Sequence, residues 1–396
     1  MKRARACGGV LVGLALTVFA LQTDAGASGE DSGARDSSVR RSTGWKGDFT
    51  LGSVGDLLYA RPVASDPAPE FQNVLALLRK VDVAIGNVEG VFFDQKTYKG
   101  YADDLVTDRA LAWLDTLKSD EPFCMNLWYQ TPHAPFFRPR RLLDAYNGVL
   151  IPKPATFDDD LRGYPGKPKP FVEADNKIGT IDTGDAVRSL EELCKDYYAG
   201  LTAVDQNIGR VLQWLDQRGL TDDTAIVFSS DHGYFLGEWR LFDKRLMHEP
   251  SIRVPMMVRY PHRVRAGEVR KEMALDVDLP PTLLDLCGIK APAAMQGRSL
   301  LEVGAQGSAP WRKDWLYDYY EYPGFENVKP HRGVRTETHK LIQWYTQDPQ
   351  EWELYDLASD PNETNNLYGK PEHAAVQQQL KQRLEELLRE IPVRSA

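Results

Sequence analysis

An apolar run at residues 224–228 ends in Ser229-Ser230-Asp231-His232-Gly233, and no other stretch narrows the possible folds of this chain so far. A short buried strand closing on a carboxylate, an imidazole and a glycine carries two metal-capable side chains to the carboxyl edge of a sheet, where open α/β folds place their ligands. The surrounding sequence repeats that logic. A helix pattern spans 189–218 directly ahead of the run, and further strand patterns lie at 122–129 and 254–259, with helices near 108–117, 280–287 and 372–389. Strands alternating with helices predict an α/β fold with a mostly parallel sheet flanked by helices. Two strand patterns at 340–344 and 352–357 predict a small antiparallel C-terminal subdomain.

The chain has 396 residues and a net charge of −9, which argues against nucleic acid as a partner, since phosphate binding calls for a basic surface. Lys2, Arg3 and Arg5 precede an apolar run at 8–21 and then Ala25-Gly26-Ala27, the pattern of an export leader over 1–27. That run is short for a stable membrane span, so the mature protein is expected in the periplasm or outside the cell; a retained anchor is the competing reading. Residues 28–45 carry little to bury and read as a flexible linker. Of four cysteines, Cys7 leaves with the leader; Cys124, Cys194 and Cys287 lack metal-ligand spacing and read as buried small hydrophobes.

From about residue 98 onward the chain resembles the sulfatases of the alkaline-phosphatase-like superfamily, in the branch of iduronate sulfatase and bacterial exosulfatases. The resemblance rests on stretches in family order: Gly100-Tyr101 with Asp104 and Thr107-Asp108, Pro132-His133-Ala134-Pro135-Phe136, Tyr197-Tyr198-Ala199-Gly200 with Asp205, the run 230–238, Lys244, Arg253-Val254-Pro255, Gln296-Gly297-Arg298-Ser299-Leu300, and Glu353-Leu354-Tyr355-Asp356-Leu357 with Asp360-Pro361. It implies a sulfatase core over 96–310 and a C-terminal subdomain over 311–396. It also implies that Asp231 and His232 ligate a divalent cation, usually calcium, and that Lys244 and His133 face the sulfate near its leaving oxygen. Fixed cations there stabilise the charge that develops as the S–O bond breaks. His248 and Glu249 read as packing or rim residues, with His248 also a substrate-contact candidate, and the aromatic run 317–322 reads as core packing or a sugar platform.

Active members of that family begin with an apolar strand ending in paired aspartates and a C/S-x-P-x-R string whose Cys or Ser becomes formylglycine, the nucleophile. Neither element stands ahead of Asp231, so the family core is N-terminally incomplete; Ser308-Ala309-Pro310-Trp311-Arg312 fits the string but lies far downstream and reads as coincidence. Loss of a covalent nucleophile lowers rates by roughly 10⁴ to 10⁶ in worked protease cases, so impaired or absent sulfatase activity is expected.

The opening instead holds one βαβ pattern, with strands at 49–54 and 81–85 and a helix at 70–80. Residues 46–95 resemble the start of the CapA-like poly-gamma-glutamate capsule family, through Gly55-Asp56, Ala60-Arg61-Pro62-Val63 and 84–90 with Asn87 and Glu89. Asp56 and Asn87 are then metal candidates. If strand 49–54 fills the slot of the missing sulfatase strand, Asp56 lies near Asp231 and His232. The expected function is hydrolysis of a sulfate ester on a sulfated carbohydrate, with a non-catalytic anion-binding or cell-surface protein, or a capsule-biosynthesis protein, as alternatives.

Overall fold

The structure, a computed structural model, describes residues 14–20, 51–56, 83–87, 100–118, 123–133, 136–157, 166–176, 178, 189–303, 310–323 and 327–391. In chain order its first strands are β1 (Leu14–Ala20), β2 (Leu51–Asp56), β3 (Val83–Asn87), β4 (Phe123–Tyr129) and β5 (Thr224–Ser230). The short β6 (Phe235–Leu236) and β7 (Phe242–Asp243) follow, then β8 (Met256–Arg259), β9 (Asp314–Tyr319), β10 (His331–Thr336), β11 (His339–Trp344) and β12 (Glu351–Asp356). The longer helices are α1 (Ala102–Leu114), α2 (Leu190–Gln217), α3 (Leu279–Leu286) and α4 (Ala374–Glu390).

The core sheet has the order β4-β1-β5-β8, and every one of its ladders is antiparallel. The expectation of a mostly parallel sheet is therefore corrected among the described residues. β4 and β5 do share one direction, but β1 runs against both from the slot between them. The occupant of that slot is residues 14–20, from the run read as an export leader, and not residues 49–54. Those form β2, whose ladder is with β3 in a two-stranded sheet of its own, the one parallel pair among the described residues. The helix expected at 70–80 and the linker at 28–45 lie outside the described residues.

β4 alternates buried and exposed positions, as period-2 geometry requires of a strand with one covered face. Phe123, Met125, Leu127 and Tyr129 face α1 and α2, where Ala110, Leu114, Val204, Val211 and Leu215 meet them. Burial of each large apolar side chain contributes roughly 1.5–3 kcal/mol. Cys124 falls on the other phase and is exposed, which corrects its reading as buried; Cys194 is buried and Cys287 half-buried. α2 is long because its ends are well specified. Ser189 and Glu192 form a capping box, and Gly219 stops the helix in the left-handed region (φ +67°).

The C-terminal sheet, order β12-β11-β10-β9, is fully antiparallel, with two strands more than its sequence pattern indicated. Alternation divides its side chains. Val334, Leu341 and Leu354 meet Leu380, Leu384 and Leu387 of α4, while Ile342, Trp344 and Tyr355 meet Phe235, Trp239, Leu241, Leu246 and Met247. The second face thus packs on the segment that carries Lys244.

The pairing of β1 makes a direct prediction. A variant lacking residues 1–27 leaves β4 and β5 with unpaired edges, so it should melt at least 10 °C lower than the full chain and aggregate; equal melting temperatures would remove β1 from the stable fold.

Candidate functional site

Asp231 and His232 stand just past β5, at the edge where the strand ends. Gly233 follows because nothing larger fits: a Cβ there would lie 2.1 Å from the Pro250 carbonyl oxygen and 2.9 Å from that of Arg253. The Gly233 amide donates to the Ser251 carbonyl (2.7 Å), so the loop is pressed onto the helical turn Glu249–Ile252. His232 Nδ1–H donates to the Gly233 carbonyl at 2.6 Å, which leaves the lone pair on Nε2. That nitrogen is buried, takes no hydrogen bond, and lies 3.6 Å from Asp231 Oδ2. Burial, and after it the charge of Lys244, lowers the His232 pKa to about 4, so the ring is neutral at physiological pH.

Lys244 follows β7 with its side chain largely buried and its ammonium 3.0 Å from Asp243 Oδ1. The segment around it holds four non-glycine residues at positive φ, namely Trp239, Arg240, Asp243 and Arg245. Such strain persists only where packing over-determines the backbone, here through Trp239 and Leu241 against the C-terminal sheet. His133 sits in the turn after β4, its amide donating to the Gln130 carbonyl (2.8 Å). The buried carboxylate of Asp103, at the start of α1, accepts from the amides of Gln130 (3.0 Å) and Thr131 (3.3 Å), and Tyr101 bonds Thr131 Oγ1 (2.6 Å). Both His133 and Lys244 lie close enough to His232 to disfavour its protonation. Asp231, His232, Lys244 and His133 therefore share one locality.

Asp56 ends β2. It is the register partner of Asn87 in the β2–β3 sheet, which shares no ladder with β5. His248 is completely buried, which corrects its reading as a substrate contact. Its Nε2 lies 3.3 Å from Glu353 Oε2 and 3.1 Å from Lys167 Nζ. Glu249 is a packing residue. Arg335 donates to both of its oxygens (3.2 Å each) and Lys340 lies at 2.9 Å, while its amide donates to Glu363 (2.8 Å). Burial raises the Glu249 pKa, but Lys340 and Arg335 outweigh it and hold the group at about 2. Lys340, fully buried, also donates to Glu363 (2.6 Å) and to the Met247 carbonyl (2.7 Å). Charges on the C-terminal sheet thus seat the helical turn that backs the Asp231–His232 loop.

Sequence reading missed Asp103, which looks like a surface acid on a helix, and Asp276. The Asp276 carboxyl is raised to about 7 by desolvation, then by the charges of Asp231 and Asp278, against a hydrogen bond from Ser229. Asp276 is exposed, and solvent screens part of that effect. In the downstream Ser-x-Pro-x-Arg string, Arg312 ion-pairs with the buried Asp278 (2.5 Å), a structural contact; Ser308 lies outside the described residues. A neutral imidazole with a buried, unbonded Nε2 beside a carboxylate oxygen fits two positions of a divalent-cation shell. Among the described residues, no group of three or more His, Cys, Asp or Glu gathers to complete one.

The family model "Sulfatase" matches residues 55–289, more than half of the chain, and the model of the C-terminal part of N-sulphoglucosamine sulphohydrolase matches 237–390. The first match begins inside the segment compared above with the capsule family, and that second resemblance gains no support. N-acetylglucosamine-6-O-sulfatase of Bacteroides thetaiotaomicron is 36% identical, over 73% of this chain and 61% of its own length. The human N-acetylglucosamine-6-sulfatase is 27% identical, over 67% of this chain and 52% of its own length. The chain thus spans less than two thirds of these relatives. A solved structure of a protein in complex with its substrate D-glucosamine-2-N,6-O-disulfate has a TM-score of 0.67 and 35% identity, covering 74% of this chain and 70% of that one. The fold also matches phosphonate monoester hydrolase of Agrobacterium radiobacter, with a TM-score of 0.61 at 19% identity.

Two outcomes are expected of the loop and its support. Gly233→Ala forces the backbone away from Pro250 and should destabilise the fold by about 1–3 kcal/mol in denaturant titration. A wild-type value would mean that the loop is not held there. Acid should weaken the fold through its buried imidazoles. His232 and His331 both have pKa values lowered to about 4, first by burial, so between pH 6.5 and 4 the unfolded chain binds protons that the folded chain does not. Unfolding free energy should therefore fall as pH drops through that window, by up to about 3 kcal/mol for each group. Stability unchanged from pH 7 to 4.5 would contradict the buried neutral state.

Proposed function

Since the chain belongs to the sulfatase family, we propose that it binds the sulfate ester of an amino sugar, with Lys244 and His133 at the anion and Asp231 and His232 at a divalent cation. The observation that carries this reading is the common locality of those four side chains, reached from β4, β5 and the strained segment after β7. The named activity of the bacterial relative and the ligand of the solved structure support a 6-O-sulfated glucosamine unit as the substrate class.

Each residue has a definite task. Asp243 orients the Lys244 ammonium through its 3.0 Å contact, so that a fixed positive charge faces a sulfate oxygen. The Gly233 carbonyl fixes the His232 tautomer and turns its Nε2 lone pair toward the cation seat. Asp103 holds the backbone of the His133 turn, where the imidazole can donate toward the leaving oxygen. A bound divalent cation supplies further positive charge to the sulfate oxygens. Such groups stabilise developing charge, but attack on sulfur needs a nucleophile, and the formylglycine string is absent ahead of Asp231. Turnover is therefore feeble and binding is the main surviving property, which also favours the second reading, a non-catalytic anion-binding protein. Lys2, Arg3 and Arg5 ahead of the apolar run support export, and N-terminal sequencing of the mature protein decides whether residues 14–20 are retained.

Calorimetric titration of the full chain with N-acetylglucosamine 6-sulfate tests the proposal. Lys244→Ala and His133→Ala should each weaken binding at least tenfold, while hydrolysis stays roughly 10⁴-fold or more below that of a formylglycine enzyme. Binding indifferent to Lys244→Ala would refute the site, and rapid hydrolysis would refute the impaired chemistry.

A further inference from the structure

The aromatic run beginning at Tyr317 changes character along its length. Tyr317 stacks on the buried His331 and donates its hydroxyl to the Arg245 carbonyl (2.9 Å), and Tyr319 packs against the same imidazole. Past the end of β9 the pattern reverses, and Tyr320 and Tyr322 are 55% and 43% exposed. A hydrogen bond from the Tyr322 amide to the Tyr320 carbonyl (2.9 Å) draws the two into a tight turn. Glu321, between them, reaches Arg245 Nε at 3.6 Å. Arg245 in turn donates to Asp243 (2.6 Å), the same carboxylate that orients Lys244. The tyrosine turn is therefore joined by consecutive ion pairs to the anion-facing lysine.

A cation completes the turn. Lys329 Nζ lies 4.0 Å from the centre of the Tyr322 ring and donates to the Tyr322 hydroxyl, and among the described residues no carboxylate pairs with it. Exposed tyrosines give rigid amphipathic faces that suit the apolar side of a sugar ring, and an ammonium beside them suits an acidic substituent. We propose that Tyr320, Tyr322 and Lys329 form a second subsite, which holds a neighbouring, acid-bearing sugar of a glycan whose sulfated unit occupies the Lys244 site. The inference rests on the sulfated-sugar reading above and adds to it that the ligand is an oligosaccharide with an acidic unit.

Calorimetry on the full chain with two probes separates the two ideas: N-acetylglucosamine 6-sulfate, and a heparin-derived tetrasaccharide. The tetrasaccharide should bind at least tenfold more tightly than the monosaccharide. Tyr322→Ala and Lys329→Gln, both at the surface, should each remove most of that advantage and leave monosaccharide binding unchanged. Lys244→Ala should weaken both probes and keep the Tyr322 dependence of the tetrasaccharide. No advantage for the tetrasaccharide, or an advantage that survives both surface substitutions, overturns the subsite. Monosaccharide binding untouched by Lys244→Ala, with the Tyr322 effect intact, overturns the anion site alone.

Discussion

The buried charges between the C-terminal sheet and the core are the constraint on which the site depends. Lys340 and Glu363 are fully buried, and the partly buried Arg335 and Glu249 close over them; a charge there persists only if its partners are held at bonding distance. Beside them Lys167, His248, Glu353 and Tyr355 form a second closed group, with Trp344 donating to Glu353 (2.8 Å). Losing one member would strand the others in a medium of low dielectric, so the two layers are fixed in register more firmly than apolar contact alone would fix them. The helical turn at 249–252 transmits that register to Gly233, and Gly233 to the imidazole next to it. The Asp231–His232 loop at the edge of one sheet thus depends on ion pairs borne by another.

Long periodic elements were legible in the sequence. The observed α2, β5, α3 and α4 begin and end within about two residues of their patterns, because caps, glycine stops and apolar spacing act locally. Strand direction was not legible, since the partners of β4 and β5 lie far away in the chain and nothing in either strand records them. β9 and β10 escaped notice because tyrosines, arginines and Gly333 blur the alternation there. The site divides in the same way. Asp231, His232, Lys244 and His133 stand in short strings whose chemistry can be read, whereas Asp103, Glu249 and Glu363 look like ordinary surface acids until the fold buries them or ties them to cations.

Membership of the sulfatase family and the absence of the nucleophile string ahead of Asp231 pull in different directions, and the proposed anion site reconciles them. In the proposed site the sulfate-facing side chains come from the β4 turn, the end of β5 and the Lys244 segment, each fixed by its own packing. Attack on sulfur would be the work of one side chain. A fold can therefore keep a binding pocket for an anion after the attacking group is gone, because little of the packing that shapes the pocket passes through that group.

The placement of β1 has a consequence in time. Its partner β5 is some two hundred residues further along the chain, and at ordinary rates of synthesis the ribosome needs about ten to forty seconds to deliver it. Until β4 emerges, about halfway through that interval, the apolar segment at 14–20 has nothing to pair with and is open to whatever captures hydrophobic nascent chains; its second edge waits for β5. If the export reading of the leader holds, secretion and completion of the sheet are rivals for one peptide, and the order of arrival settles which of them the molecule achieves.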